Sequence, residues 1–166
     1  LEAAKTLRYG PFDRTRFPPR PAAYAAVFVP TMANPYYPET LHVVGDLLFQ
    51  QGYKTLYFCT DKSLDKERQF LRSLDPEDTR MLLYAYTPQE KDLLRKLSES
   101  VPVCVLGELN FKLDCIHVAL NSFNAGYEVM RHLWEQGHRR ICFVSNPVQA
   151  LSISRQRRME GIIAFG

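Results

Sequence analysis

The sequence predicts an α/β fold with a doubly wound parallel sheet. Short apolar runs alternate with amphipathic stretches along nearly the whole chain. The runs are continuous in Val, Ile, Leu and Phe and do not alternate apolar with polar residues, which is the pattern of strands buried on both faces. With 166 residues and 46% apolar content, the chain can also bury one proper core.

Each element follows from its own pattern. "AAVFV" (25–29) is a short buried strand. From Tyr37 the apolar residues Leu41, Val44, Leu47 and Leu48 recur at helical spacing, and Gly52 suits the helix C-terminus. "KTLYFCT" reads as the second strand, "LDKERQFLRSL" as a short amphipathic helix and "RMLLYAY" as the third strand. "PQEKDLLRKLSES" is a helix with Pro88 near its start, followed by a fourth strand in "VPVCVLG" and a fifth in "CIHVAL". "NSFNAGYEVMRHLWEQG" then reads as a helix, "RRICFVS" (139–145) as a sixth strand and "SRQRRMEGIIAF" as a final helix. Ahead of all these, "RYGPFDRTRFPPRPAAY" holds clustered prolines without periodicity and reads as a linker.

Charge and cysteine content narrow the function classes. The net charge is +3, and it comes from the start of the chain. Lys5, Arg8, Arg14, Arg16 and Arg20 face only Glu2 and Asp13 in the first 20 residues, and the remainder balances. Such a basic arm is either a segment that faces nucleic acid or a solvated linker. Cys59, Cys104, Cys115 and Cys142 form no Cys-x-x-Cys pair and have no His at zinc-ligand spacing, so the expectation is buried free thiols and no metal. No apolar run approaches the roughly 20 residues that cross a bilayer, and the charged opening is unlike a secretory leader. The expected setting is cytoplasmic, and the start at Leu1 and stop at Gly166 point to a piece of a longer protein.

In doubly wound sheets ligands bind beyond the carboxyl ends of the strands. "VFVPTMANPYYPETL" places Tyr36 and Tyr37 in such a loop, where their rings can stack on a sugar or base, or cap the core beneath. Catalytic patterns are missing by contrast. No Gly-x-Gly-x-x-Gly or Gly-Lys-Ser/Thr loop offers a phosphate cradle, no Gly-x-Ser-x-Gly elbow offers a nucleophile, and the four histidines have no carboxylate at a telling spacing. The expectation is a chain that is not an enzyme and needs no cofactor. Arg155, Arg157 and Arg158 open the last helix against its dipole, a placement suited to an anionic or polyhydroxy ligand or to a solvated basic turn.

Several stretches, in order and spacing, resemble the lactose/galactose repressor family of bacterial transcription regulators. They are "VFVPTMANPYYPETLHVVGDLLFQQGYKTLYFCTD", "VPVCVLG", "NSFNAGYEVMRHLWEQGHRRICFV" and "SRQRRMEGIIAF", and "LEAAKTLRYGP" resembles the end of that family's DNA-binding headpiece. The resemblance implies a periplasmic-binding-protein-like fold of two lobes that close on a small effector, a sugar or nucleobase. It further implies a homodimer that binds operator DNA, with allosteric coupling between effector and operator. The implied division is headpiece end at 1–9, hinge at 10–23, first lobe at 24–138 and the start of the second lobe at 139–166. Carried over by position, Asn34, Tyr36, Tyr37, Asn121, Ser154 and Arg158 line the effector cleft, and Arg14, Arg16 and Arg20 lie along DNA phosphates in the hinge. A solute-binding receptor of the same fold is the alternative reading.

Four positions depart from the family. Asn121 stands where the family has Asp, Gly107 and Glu108 replace an Asp-Arg pair, and Pro18 occupies the place of the Leu that wedges into the minor groove. Pro18 and Pro19 remove amide donors and disfavour helix at the residue before them, so the hinge is expected to stay extended.

Overall fold

A computed structural model describes residues 24–145 and 153–166. In chain order the elements are β1 (Tyr24–Val29), α1 (Tyr36–Gln50), β2 (Lys54–Cys59), α2 (Leu64–Ser73), β3 (Thr79–Tyr84), α3 (Lys91–Ser98), β4 (Val103–Leu106), β5 (Ile116–Val118), α4 (Ser122–Glu135) and α5 (Ile153–Phe165). The five strands form one parallel sheet in the order β2-β1-β3-β4-β5. All carboxyl ends therefore share one edge of the sheet, and β2 and β5 close its two sides.

The continuous apolar run of β1 is explained by its central position, since each face needs its own core. Ala26 and Phe28 point to the face covered by α2 and α3, with Leu71, Leu82, Tyr84 and Leu94. Val27 and Val29 point to the other face, with Leu41 of α1, Leu83 and Ala85. Phe28 stacks against Phe58 of β2 and Tyr84 of β3 at centroid distances of 4.9 and 4.6 Å. The parallel register puts these three residues in one row, and the aromatic rail across three strands follows from it.

Local chemistry sets the helix ends. Ser63 caps α2 by accepting from the Lys66 N–H, and Glu90 accepts from the Leu93 N–H at the start of α3. The third helix therefore begins at Lys91, and Pro88 lies in the preceding loop, not in the first turn. α1 ends where Gly52 takes φ +81°, which lets its N–H reach Phe49 and the Tyr53 N–H reach Leu48.

Two expectations are corrected. Residues 139–145 form no strand: no neighbour among the described residues offers them a ladder, and Phe143 and Val144 are exposed. An apolar run supplies half of a strand, and the other half is a partner. The cysteines are free but not buried, for Cys59, Cys104 and Cys115 are half-buried and Cys142 is exposed.

α4 makes its principal packing with α5 and not with the sheet. The crossing is close because Gly126 of α4 lies against the Arg158 backbone, and Gly161 of α5 lies against the Phe123 carbonyl and the Tyr127 amide. Tyr127 and Trp134 of α4 flank Phe165 edge-on, which completes this small helix pair.

Candidate effector site

The carboxyl edge of the sheet collects the loop after β1, the turn after β2, the segment after β3 and the segment after β4. The loop after β1 turns on its own side chains. Thr31 Oγ1 accepts from the Ala33 N–H, and Asn34 Oδ1 accepts from the Tyr36 N–H while the Asn34 carbonyl accepts from the Tyr37 N–H. These bonds satisfy donors at the start of α1, where the N-cap residue Pro35 provides no side-chain cap. Asn34 is thus committed through its oxygen to shaping the loop.

The two tyrosines open α1 and do not lie in the loop before it, and they divide. Their rings meet edge to face, with centroids 5.2 Å apart and planes at 79°. Tyr36 is 60% exposed, whereas Tyr37 is half-buried and packs on the core cluster of Val27, Val29 and Leu41. Burial pushes the Tyr37 hydroxyl above its usual pKa, Tyr36 adds to this, and the positive charge of Arg155 opposes it. Arg155 on α5 is therefore within electrostatic reach of Tyr37 on α1, across the gap between the sheet and the helix pair.

Of the other expected residues, Asn121 caps α4: its Oδ1 accepts from the Asn124 N–H at 3.0 Å, a role Asn fills as well as Asp. Glu108 Oε1 accepts from the Ser122 N–H at 2.9 Å, and its carbonyl accepts from the Thr87 hydroxyl at 2.7 Å. A carboxylate there also suits the positive end of the α4 dipole. Ser154 is half-buried, and its carbonyl accepts from Arg158 Nε, so the Arg158 side chain folds back along its own helix. Asn34, Tyr36 and Tyr37 lie together after β1, the charge of Arg155 reaches Tyr37, Asn121 caps α4, and Arg158 bonds back to its own helix. Arg14, Arg16 and Arg20 lie outside the described residues.

Sequence reasoning named Glu108 and Arg155 without giving either its place in the structure, and it missed the turn after β2. In that turn Asp61 and Lys62 both take positive φ (51° and 60°), an uncommon backbone for residues with a Cβ. Asp61 pairs with Lys66 and accepts from the Cys59 thiol, and the Lys66 hydrogen bond holds its carboxyl below the usual range.

A second concavity, an open groove of about 730 Å³, lies between α3 and the loop joining β4 to β5. Within it Arg95 bonds Asp92 and the Lys112 carbonyl, and Lys91 and Arg95 cover the Phe111 ring. The carboxyl edge by contrast carries an exposed aromatic ring, that of Tyr36.

Residues 24–165 match the family model described as periplasmic binding proteins and sugar binding domain of the LacI family. Curated relatives include the HTH-type transcriptional repressor PurR of Mannheimia succiniciproducens, 28% identical over 98% of this chain and 49% of its own. PurR of Histophilus somni is 30% identical over 90% of this chain and 46% of its own. Among solved structures, the transcription regulator GntR from Chromobacterium violaceum is 27% identical with a TM-score of 0.69, covering 86% of this chain and 51% of that one. A LacI family regulator from Lactobacillus casei with bound glucose is 20% identical with a TM-score of 0.71, over 86% of this chain and 53% of that one. The chain spans about half the length of the relatives it matches.

Proposed function

This chain belongs to the family of periplasmic binding proteins and LacI-type sugar-binding domains, and from that premise we propose that it is the effector-sensing part of a DNA-binding transcriptional repressor. The effector is a small sugar or nucleobase held between the carboxyl edge of the sheet and α5. One observation carries the reading: an exposed aromatic ring, Tyr36, is braced edge-on by a core-anchored Tyr37, whose hydroxyl feels the positive charge of Arg155. An aromatic face opposite a fork of donors is suited to a flat or polyhydroxy ligand.

The packing of α4 on α5 supports a boundary between the two lobes at the N-terminus of α4, Ser122, in place of residue 138. Glu108 and Asn121, which bond the first amides of α4, are then the crossing point. In the mechanism we infer, effector in the cleft favours one arrangement of the lobes, and that arrangement sets operator affinity across a cytoplasmic homodimer. Arg14, Arg16 and Arg20 contribute contacts to DNA phosphates that carry little sequence information.

The test is calorimetric titration of the full-length protein with a panel of hexoses and purine bases, repeated in the presence of its own promoter DNA. One ligand is expected to bind and to shift DNA affinity. Tight ligand binding with no DNA affinity under any condition would favour a solute receptor of the same fold.

A further inference from the structure

Beneath the aromatic loop lies a carboxylate that the site itself does not use. Glu67, in the first turns of α2, is 0% exposed. Its Oε1 accepts from the backbone N–H of Gln89 (3.0 Å) and of Glu90 (3.1 Å), and its Oε2 accepts from the Tyr86 hydroxyl at 2.8 Å. Tyr86 in turn meets Thr60 Oγ1 at 3.1 Å, and Thr60 lies against the Val29 carbonyl through both its N–H (2.9 Å) and its hydroxyl (3.3 Å). Val29 is the last residue of β1, and the loop that begins directly after it leads to Tyr36 and Tyr37 in the first turn of α1.

We propose that Glu67 is the positioning residue of the effector edge, tying the segment after β3 to α2 and, through Tyr86 and Thr60, to the end of β1. This rests on the reading of that edge as the effector cleft. A buried carboxylate costs several kcal/mol unless its oxygens are filled, and here three donors from the loop after β3 fill them. Removing the carboxylate leaves two backbone amides without an acceptor in the interior, so the loop must open to water.

The chain of hydroxyls also has a direction. Tyr86 and Thr60 each have one hydroxyl proton. With Glu67 ionised, Tyr86 donates to Glu67, and the Thr60 proton goes to either Tyr86 or Val29. With Glu67 protonated, Oε2 donates to Tyr86, Tyr86 donates to Thr60, and Thr60 is directed to the Val29 carbonyl. Glu67→Gln imposes this second direction permanently while keeping an acceptor oxygen for Gln89 and Glu90.

Burial pushes the Glu67 carboxyl above the usual range, against the pull of the Glu90 amide, the Tyr86 hydroxyl and the Gln89 amide. The groups that face this cluster are Tyr84 on β3, Tyr86 beyond it, Glu90 at the start of α3, Arg68 on α2, whose Nε holds Glu90 at 2.7 Å, and Cys59 on β2. Burial also raises both tyrosines, so neither loses its proton before Glu67 does.

The test uses the full-length protein and reads amide hydrogen exchange at Gln89 and Glu90 between roughly pH 5 and 8, together with titration against glucose and adenine. Glu67→Ala is expected to lower protection of both amides at least tenfold and to weaken whichever probe binds by about tenfold, with circular dichroism unchanged. Glu67→Gln is expected to keep protection within about threefold and to lose the pH dependence that the wild type shows. Retained protection in Glu67→Ala, or lost protection with unchanged affinity, overturns the proposal. If Glu67→Ala does not fold, a Glu67→Gln profile as steep as that of the wild type overturns it instead. A wild type that binds neither probe counts against the cleft reading alone, since the exchange measurement does not depend on ligand.

Discussion

At Tyr36 the exposed ring touches little besides its neighbour, whereas Tyr37 leans on Val27, Val29 and Leu41. Truncating each residue should therefore separate two roles. Tyr36→Ala is expected to weaken effector binding by about 1 to 3 kcal/mol and to change stability by less than about 0.5 kcal/mol. Tyr37→Ala is expected to weaken binding similarly and also to cost about 2 kcal/mol in urea unfolding. Glu67 gives a pH prediction at the same scale. Its folded pKa is raised by burial, so its contribution favours the fold below the ordinary carboxylate range and is lost as pH rises through the raised value. Glu90 has the opposite sign: burial alone would push it up, but its bond from Arg68 and the Leu93 amide bring it below the usual range. Wild type minus Glu67→Gln stability, measured by urea titration, should therefore grow as pH falls from 7 towards 4. The tyrosine pair was legible in the sequence because nothing in a strand-to-helix joint requires two aromatics. Arg155 was not separable from Arg158, because which arginine brings its charge near Tyr37 depends on how α5 lies in the fold.

At the scale of elements, the α4–α5 crossing is set by two glycines that a helical pattern alone would count as defects. A Cβ at Gly126 would overlap the Arg158 carbonyl, and one at Gly161 would overlap the Phe123 carbonyl. Both are backbone atoms, which cannot swing aside. Gly161→Ala is expected to cost about 2 kcal/mol or more despite the better helix propensity of Ala. The loss should appear as reduced amide protection in α4 and α5, with β1 and β3 unaffected. A Gly in mid-helix was the available signal, and it points to close packing without saying against what. β1, β3 and β4 were legible because the middle of a parallel sheet is covered on both faces, whereas β2 and β5 at its sides carry apolar runs that stay largely exposed. Residues 139–145 have the same kind of run and no ladder, since pairing depends on distant chain that composition does not encode.

At the scale of the whole molecule, α1 leaves a great deal of apolar surface uncovered. Leu41 is its one buried residue, while Val43, Leu47 and Phe49 are exposed, Phe49 at 79%. Leu56 and Tyr57 on the neighbouring strand β2 are also exposed. We propose this flank as the dimer face, consistent with the isologous pairing of symmetric oligomers. Sedimentation of the full-length protein at micromolar concentration should show a dimer, and Phe49→Glu should shift it towards monomer. A monomer in the wild type would count against paired headpieces on a palindromic operator.

The far side of the sheet ends in β5, which pairs only with β4 among the described residues and exposes Ile116, Val118 and, just beyond, Leu120. Its outer N–H and C=O groups have no partner among the described residues, and only the shortness of the strand blunts them as a template. Handled by itself, this chain should self-associate through that edge as its concentration rises. Light scattering should rise with concentration for the isolated segment. A single charge set into that edge, Ile116→Lys, should keep it in solution without touching the aromatic loop at all.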